Sequence, residues 1–184
     1  MTREGPRLIL GVTGSVAAFK AVELASSLTQ KGWEVRTVMT DWACRFVTPL
    51  SFSSVTGSPV YTDADYPDPS CAKDHVSLAR WGRVLAIVPA TANTIGKLAH
   101  GLADNMLTLT TLAFRGPVLV APAMNTAMYE SRPVQKNVKI LMELGYRVVG
   151  PAEGRLACGE EGRGRLAPLE EIERAVEELL ASGS

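Results

Sequence analysis

The sequence has little of what marks several classes of protein. Its 184 residues carry 19 Lys plus Arg and 19 Asp plus Glu, so the formal net charge is zero. This balance offers no basic footprint for nucleic acid and no polybasic patch for a membrane surface. The longest apolar runs, such as Val84 to Val88, are far shorter than the roughly 20 residues that a membrane-spanning helix needs. We therefore expect a protein that binds neither nucleic acid nor membrane.

Cysteine is scarce as well. Cys44, Cys71 and Cys158 are an odd number of cysteines, and none of them shows Cys-x-x-Cys spacing. This pattern argues against a disulfide framework and against a metal site, and it favours free thiols in a reducing cytosol. We expect a cytoplasmic protein without a metal ion.

What the chain does have is an alternation of apolar β-rich runs with helical segments. The predicted strands are 7–12, 33–39, 84–89, 117–121 and 146–149. The predicted helices are 15–31, 41–55 and 132–144, followed by a closing amphipathic helix around 172–179. The helix 41–55 is expected to be interrupted near Pro49. About five βα units predict an α/β fold, a doubly wound parallel sheet with helices on both faces. Without linkers or repeats, residues 1–184 form one domain. Segments 61–74 and 150–168 are expected to be long irregular loops.

The turn between the first strand and the first helix reads Gly-Val-Thr-Gly-Ser-Val-Ala, residues 11–17. Glycine lets a ligand approach the backbone closely, and the start of a helix offers unpaired N–H groups with a partial positive charge. The spacing is not Gly-x-Gly-x-x-Gly, so a mononucleotide phosphate fits better than a dinucleotide. The alternative is a tight turn in which Ser15 only caps the helix.

Polar residues follow three more strands. Thr40-Asp41 ends the second strand, Thr91-Ala92-Asn93-Thr94 ends the third, and Pro122-Ala123-Met124-Asn125 ends the fourth. The carboxyl ends of parallel strands meet at the edge where α/β proteins bind ligands. Helix capping explains each pair or run alone, and Asn125 alone is a common turn residue. Together these residues favour a ligand-binding rim.

Two further side chains are candidates for proton chemistry. His75 follows the acidic segment and has a near-neutral reference pKa, which suits proton transfer or a hydrogen bond to a carboxylate. An isolated histidine is also commonly structural or merely exposed. Cys158 lies among glycines, where a thiol can move over a site as an acid or a nucleophile.

In this order the motifs resemble the homo-oligomeric flavin-containing cysteine decarboxylases. The resemblance runs from Gly11 to about Leu169 and rests on four blocks. They are Gly-Val-Thr-Gly-Ser-Val-Ala-Ala at 11–18, His75 with its Leu-Ala-Arg-Trp sequel, Pro-Ala-Thr-Ala-Asn-Thr-Ile-Gly-Lys at 89–97 with Gly-Leu-Ala-Asp-Asn-Met-Leu-Thr at 101–108, and Pro-Ala-Met-Asn-Thr-Ala-Met at 122–128 with Leu-Ala-Cys-Gly at 156–159. Thr91 and Tyr129 stand where serine and tryptophan are common, and both conserve the chemical type.

The resemblance implies a flavodoxin-like Rossmann fold with bound FMN. It implies catalytic roles for His75, Asn125 and Cys158, the last of which would protonate the intermediate, and substrate contacts from Asn125, Met128 and Ala157. The implied FMN contacts are Gly14, Ser15, Val16, Thr40, Asp41, Thr91, Ala92, Asn93, Thr94 and Ala123.

The implied reaction is decarboxylation of 4′-phosphopantothenoylcysteine to 4′-phosphopantetheine in coenzyme A biosynthesis, through thioaldehyde and enethiol intermediates. FMN would take a hydride and later return it. His75 would act in the oxidative half, as a base or as an orienting partner. The resemblance also implies a homo-oligomer, a trimer or a dodecamer built from trimers, and a separate phosphopantothenoylcysteine synthetase.

Three alternatives remain. A peptidyl-cysteine oxidative decarboxylase stops at the enethiol and lacks the reducing cysteine, so Cys158 argues against it. A flavin prenyltransferase differs from this chain in its phosphate loop and in the Pro-Ala-Met-Asn block. A non-catalytic regulatory subunit typically carries a long acidic tail, and retention of His75, Asn125 and Cys158 argues against it.

Overall fold

The computed structural model describes residues 5–65, 73–156, 159 and 161–182. Six strands form one parallel sheet: β1 Arg7–Val12, β2 Glu34–Met39, β3 Val60–Thr62, β4 Val84–Ala90, β5 Val118–Pro122 and β6 Arg147–Val148. Their order is β3-β2-β1-β4-β5-β6, which is the Rossmann order. The predicted doubly wound sheet is confirmed. The strand β3 was not predicted, because three residues are too few to show a periodic pattern.

Helices cover both faces of this sheet. They are α1 Ala18–Gln30, α2 Asp41–Cys44, α3 Pro49–Thr56, α4 Asp74–Trp81, α5 Ala92–Ala99, α6 Met106–Ala113, α7 Thr126–Glu130, α8 Arg132–Glu143 and α9 Leu169–Ser182. One core cluster joins the sheet to α1, α3 and α9, and a second joins it to α4, α5, α6 and α8. The predicted interruption near Pro49 is confirmed, since proline occupies the first turn of α3. None of the helices described is both long and apolar enough to cross a bilayer.

Alternate residues along a strand pack into the two core clusters on opposite faces of the sheet. Leu8 and Leu10 of β1 belong to the cluster with α1, and Ile9 between them belongs to the cluster with α4. All three side chains have no exposed surface. A parallel strand buried on both faces explains why the sequence shows continuous apolar runs without polar alternation.

The segment 150–168 is not the irregular loop that the sequence suggested. It contains an antiparallel hairpin of β7 Ala152–Arg155 and β8 Glu161–Arg165. Glycine and charged residues disfavour strands in general, so their pattern gave no strand signal. The hairpin is held instead by its contacts with the loop that follows β5, which are described below.

Asp63, directly after β3, ties together the starts of two helices. Its Oδ2 accepts a hydrogen bond from the backbone N–H of Asp41 at 3.1 Å, and its Oδ1 accepts one from the N–H of Met106 at 2.9 Å. The first N–H groups of a helix have no partner within the helix, so a carboxylate satisfies them well. Burial raises the pKa of Asp63, and the two backbone amides act in the opposite direction. We call these two hydrogen bonds the Asp63 clasp. The clasp fixes the turn after β2 relative to the start of α6.

Replacing Asp63 with asparagine should therefore destabilise the fold. An amide offers a single acceptor oxygen, so one of the two helix N–H groups loses its partner. We expect Asp63→Asn to lower the free energy of unfolding by about 1–3 kcal/mol, measured by urea denaturation. Asp104→Asn is the matched control, because it breaks only the exposed ion pair with Lys97 and should cost no more than about 1 kcal/mol. Equal losses in the two variants would contradict the clasp.

Candidate active site

A cleft of about 780 Å³ opens at the carboxyl edge of the sheet. Its walls come from the turn between β1 and α1, the start of α5, the loop after β5, the β7–β8 hairpin and the start of α9. The cleft lies where the order of the sheet reverses, between β1 and β4, which is the ligand-binding position of open α/β sheets. Its volume suits a small organic ligand.

Gly14 and its neighbours form the part of the cleft suited to an anion. A Cβ at Gly14 would collide with Trp42 of α2, so glycine is required for this close approach. Within the described chain, the backbone N–H groups of Gly14 and Val16 donate to no acceptor, and both residues line the cleft at the start of α1. Unpaired amides at the positive end of a helix favour a phosphate.

Ser15 lines the cleft and stabilises the turn before α1, but its side chain does not cap the helix. Its Oγ accepts a hydrogen bond from the N–H of Ala17 at 3.3 Å, and its own N–H donates to the carbonyl of Thr13 at 2.8 Å. The helix nevertheless begins at Ala18, three residues later than predicted. The predicted helix start was therefore wrong, and Ser15 belongs to the turn that precedes the helix.

Thr13 bridges the two strands at the reversal point. Its Oγ1 donates to the carbonyl of Pro89 at 2.7 Å and accepts from the N–H of Thr91 at 3.0 Å. The side chain is buried, with 1% of its surface exposed. This one hydroxyl holds the turn of Gly14 to the start of α5. Sequence reasoning did not single it out, because both of its partners lie far along the chain.

Residues 91–94 do not all have the same role: some line the cleft, and others take part in the capping bonds at the start of α5. Thr91 and Ala92 line the cleft. The hydroxyl of Thr91 also accepts from the N–H of Thr94 at 3.4 Å and donates to its Oγ1 at 3.2 Å. Thr94 is buried and Asn93 is exposed, and neither of them lines the cleft.

Thr40 and Asp41 also lie outside the cleft lining. Thr40 caps α2, where its Oγ1 accepts from the N–H of Ala43 at 3.3 Å. The N–H of Asp41 is held by Asp63. The position of Thr40 and Asp41 places Trp42 against Gly14. They therefore support the turn of Gly14 to Val16, called here the phosphate-type turn because its unpaired amides favour a phosphate.

Asn125 lines the cleft and caps a helix at once. Its Oδ1 accepts from the N–H of Ala127 at 2.8 Å at the start of α7. This bond fixes the orientation of the amide, whose oxygen faces the helix start and whose Nδ2 is the donor group. Ala123, anchored by an N–H bond of 3.1 Å to the carbonyl of Ala90, and Met128 line the same cleft.

His75 lies in the first turn of α4 and does not line the cleft. Its Nδ1 is buried and has no hydrogen-bond partner among the described residues. Ala157 and Cys158 lie outside the described residues, although their neighbour Leu156 lines the cleft. Within the ranges that the structure describes, no group of three His, Cys, Asp or Glu side chains is placed to hold a metal ion.

Comparison with known proteins agrees with this architecture. The chain is 44% identical over 174 residues to the bifunctional coenzyme A biosynthesis protein CoaBC of Bacillus subtilis, an alignment covering 95% of this chain and 43% of that protein. It is 40% identical over 176 residues to a probable phosphopantothenoylcysteine decarboxylase of Streptococcus mutans, covering 95% and 98% of the two chains. The chain thus spans less than half the length of the CoaBC protein and nearly all of the shorter relative.

Solved structures share the fold. A cysteine-to-serine mutant of PPC decarboxylase in complex with pantothenoylaminoethenethiol superposes with a TM-score of 0.85 at 36% identity, covering 95% of this chain and 97% of that one. The FMN-dependent cysteine decarboxylase SpaF gives a TM-score of 0.82 at 37% identity, covering 98% of both chains. The sequence profile named Flavoprotein matches residues 1–181. The chain belongs to the Flavoprotein family.

Proposed function

We propose that this protein is an FMN-dependent phosphopantothenoylcysteine decarboxylase, which converts 4′-phosphopantothenoylcysteine to 4′-phosphopantetheine in coenzyme A biosynthesis. The observation that carries the proposal is a single cleft that holds both the phosphate-type turn of Gly14 to Val16 and the oriented amide of Asn125. The names of the relatives from Bacillus subtilis and Streptococcus mutans support the same reaction.

FMN fits the residues present. The unpaired N–H groups of Gly14 and Val16, with the hydroxyl of Ser15, suit its phosphate. Thr91, Ala92 and Ala123 contribute small side chains to the same cleft and leave room for a ring system. In the proposed assignment, Thr40, Asp41, Asn93 and Thr94 support this site from outside the lining. FMN supplies acceptance and return of a hydride at the carbon that bears sulfur.

The chain's own residues hold the substrate and handle protons. Nδ2 of Asn125 donates to the substrate carboxylate and orients it for loss of carbon dioxide, with Met128 and Ala157 as further substrate contacts. His75 acts in the oxidative half, as base or as orienting partner. Cys158 donates the proton that completes the reduced product. The enethiol bound by the cysteine-to-serine mutant of PPC decarboxylase supports the role of Cys158.

We also propose that the protein is a homo-oligomer, a trimer or a dodecamer built from trimers. Large apolar side chains are exposed beside the cleft: Val16 is 53% exposed, Phe19 58% and Trp42 62%. Val16 and Phe19 line the cleft and Trp42 contacts Gly14, so the three form one apolar rim. A second copy of the chain is the partner proposed for this rim, because His75 does not reach the cleft of its own chain and a neighbouring copy can supply it.

Two further proposals concern where the protein acts and which enzyme supplies its substrate. We assign residues 1–184 to one decarboxylase domain acting in the cytoplasm, where thiols stay reduced. A phosphopantothenoylcysteine synthetase is the proposed functional partner, since it makes the substrate and the CoaBC relatives are bifunctional.

The mass of the product tests the proposed reaction. With 4′-phosphopantothenoylcysteine, the wild-type protein should yield a product lighter by carbon dioxide alone. Cys158→Ser should keep its flavin and yield a product lighter by carbon dioxide and two hydrogens, with formation of phosphopantetheine reduced by about 100-fold or more. Cys44→Ser, a cysteine in α2, is the control and should match the wild type.

Each failure has a distinct meaning. A wild-type protein that releases only the enethiol belongs with the peptidyl-cysteine enzymes, and one without flavin or turnover is the regulatory alternative. A Cys158→Ser variant that makes phosphopantetheine at the wild-type rate removes Cys158 from the mechanism.

Light scattering tests the oligomer. Trp42→Glu places a charge in the apolar rim, so we expect it to shift the wild-type trimer or dodecamer to single chains and to weaken FMN binding by at least about tenfold. Met142→Glu is the matched control, because Met142 is 59% exposed on α8 and lies outside the rim. A wild-type protein that is a stable, fully active monomer would overturn the proposal.

A further inference from the structure

The strand β8 approaches the loop after β5 more closely than any side chain would permit. A Cβ at Gly164 would collide with the carbonyl oxygen of Met124 and would lie 3.3 Å from the carbonyl carbon of Asn125. The N–H of Met124 donates to the carbonyl of Gly164 at 3.0 Å. The obstacle is backbone, which cannot be displaced by a change of rotamer. Contact and hydrogen bond together lock this part of β8 against the loop of Asn125.

Gly162 makes an equivalent contact one step along the strand. A Cβ there would collide with Oγ1 of Thr126 and would lie 3.1 Å from its Cγ2. Residues two apart in a strand share a face, so Gly162 and Gly164 present one face of β8 to residues 124–126. Neither glycine has a positive φ, although seven other described glycines do. Glycine is required at both positions because there is no room for a Cβ, and not because of the backbone conformation.

A third contact reinforces the same interface. The guanidinium of Arg163 lies 5.4 Å from the centroid of the Tyr129 ring on α7, within range of a cation–π interaction. Tyr129 is buried, with 5% of its surface exposed, so it offers a fixed platform. The hairpin is therefore attached along β8 to both the loop and the helix that present Asn125.

This attachment holds β8, one of the two strands that flank the β7–β8 connection, at the wall of the cleft. Asn125 lies between the two residues that the glycines contact, and both Asn125 and Gly164 line the cleft. Cys158 is three residues from Arg155, which ends β7, and three from Glu161, which begins β8. Cys158 itself lies outside the described residues, so its place in the β7–β8 connection is known from the sequence alone. The described strand β8, which follows this connection, is the one that packs against residues 124–126.

We propose that Gly162 and Gly164 are positioning residues for the reducing half of the reaction, because they seat the hairpin that carries Cys158 against the loop that carries Asn125. The proposal rests on the proposed function. Oxidation and decarboxylation need Asn125 in the cleft, and completion of the product needs the hairpin in its seat as well, so a displaced hairpin should slow completion more than consumption of substrate. Glycine has no side-chain group that can transfer a proton, so both residues act through the groups that they position.

The test is the ratio of the enethiol to phosphopantetheine, measured by mass on the flavin-loaded protein. Gly162→Ala should still consume substrate and retain FMN, with this ratio raised by about 10- to 100-fold, since a displacement of about 1 Å has effects of that size. Thr126→Ala removes Oγ1 and Cγ2, the two nearest of the three atoms that a Cβ at 162 would meet, and leaves only Cβ at 3.3 Å, so the double variant Gly162→Ala/Thr126→Ala should return the ratio towards the wild-type value.

Gly164→Ala gives the contrasting result. Its obstacle is the backbone of Met124, so it should raise the ratio with or without Thr126→Ala. Gly96→Ala is the matched control, because a Cβ there would meet only Nδ2 of Asn137 at 3.4 Å. It should leave the ratio unchanged. A normal ratio in Gly162→Ala, no restoration in the double variant, or an equal rise in Gly96→Ala would overturn the proposal.

Hydrogen exchange measures how firmly β8 is held against the loop of Asn125, and it needs no substrate. In Gly164→Ala the Met124 amide should lose its bond to residue 164 and exchange at least about tenfold faster than in the wild type or in Gly96→Ala. Unchanged exchange would mean that the glycine does not hold the hairpin, and it would overturn the proposal. A wild-type protein that exchanges as expected but turns over no substrate would instead refute the proposed function.

Discussion

The buried hydroxyl of Thr13 connects the two loops on which the cleft depends. The sheet reverses its order between β1 and β4, and at that point the ends of the two strands diverge and leave space above the sheet. Thr13 spans this point by donating to Pro89 and accepting from Thr91. The hydroxyl uses both of its hydrogen-bonding functions, so the turn of Gly14 and the start of α5 are fixed relative to each other.

The other walls of the cleft are held by similar close contacts. Trp42 lies against Gly14, the clasp of Asp63 fixes the helix that carries Trp42, and the glycines of β8 lie against residues 124–126. Such contacts place backbone amides and one oriented side-chain amide around a volume the size of a cofactor and substrate. The fold therefore supplies backbone amides suited to an anion and one oriented side-chain amide at the same cleft, and the proposed chemistry needs FMN, one thiol and one histidine in addition.

The sequence predicted the sheet because its central strands are buried on both faces, which leaves long apolar runs. It also predicted the cleft residues that follow strands directly, such as Ser15, Thr91 and Asn125, because the carboxyl ends of parallel strands converge. Thr40 follows a strand too, yet its side chain caps a helix, and Thr94 is buried with its N–H and its hydroxyl bonded to Thr91. A pattern of polar residues cannot separate a cap from a ligand contact, since both use the same hydroxyl.

Long-range contacts account for most of what the sequence did not reveal. Thr13 is 76 residues from Pro89, and Asp63 is 43 residues from Met106, so no local pattern announces either bond. The glycines of β8 suggested a flexible loop, because the atoms that exclude a side chain there belong to a distant segment. The proposed catalytic roles of His75 and Cys158 rest on resemblance, and the structure adds that His75 lies apart from the cleft of its own chain.

The affinity of a Thr13→Val variant for FMN shows whether the Thr13 hydroxyl holds the cleft in its binding shape. Valine keeps the shape and removes the hydroxyl, so the carbonyl of Pro89 and the N–H of Thr91 both lose their partner. We expect a dissociation constant for FMN at least about tenfold higher than in the wild type, measured by flavin fluorescence, with Thr13→Ser within about threefold of the wild type. A Thr13→Val protein that binds FMN as tightly as the wild type would show that this hydroxyl does not hold the cleft together.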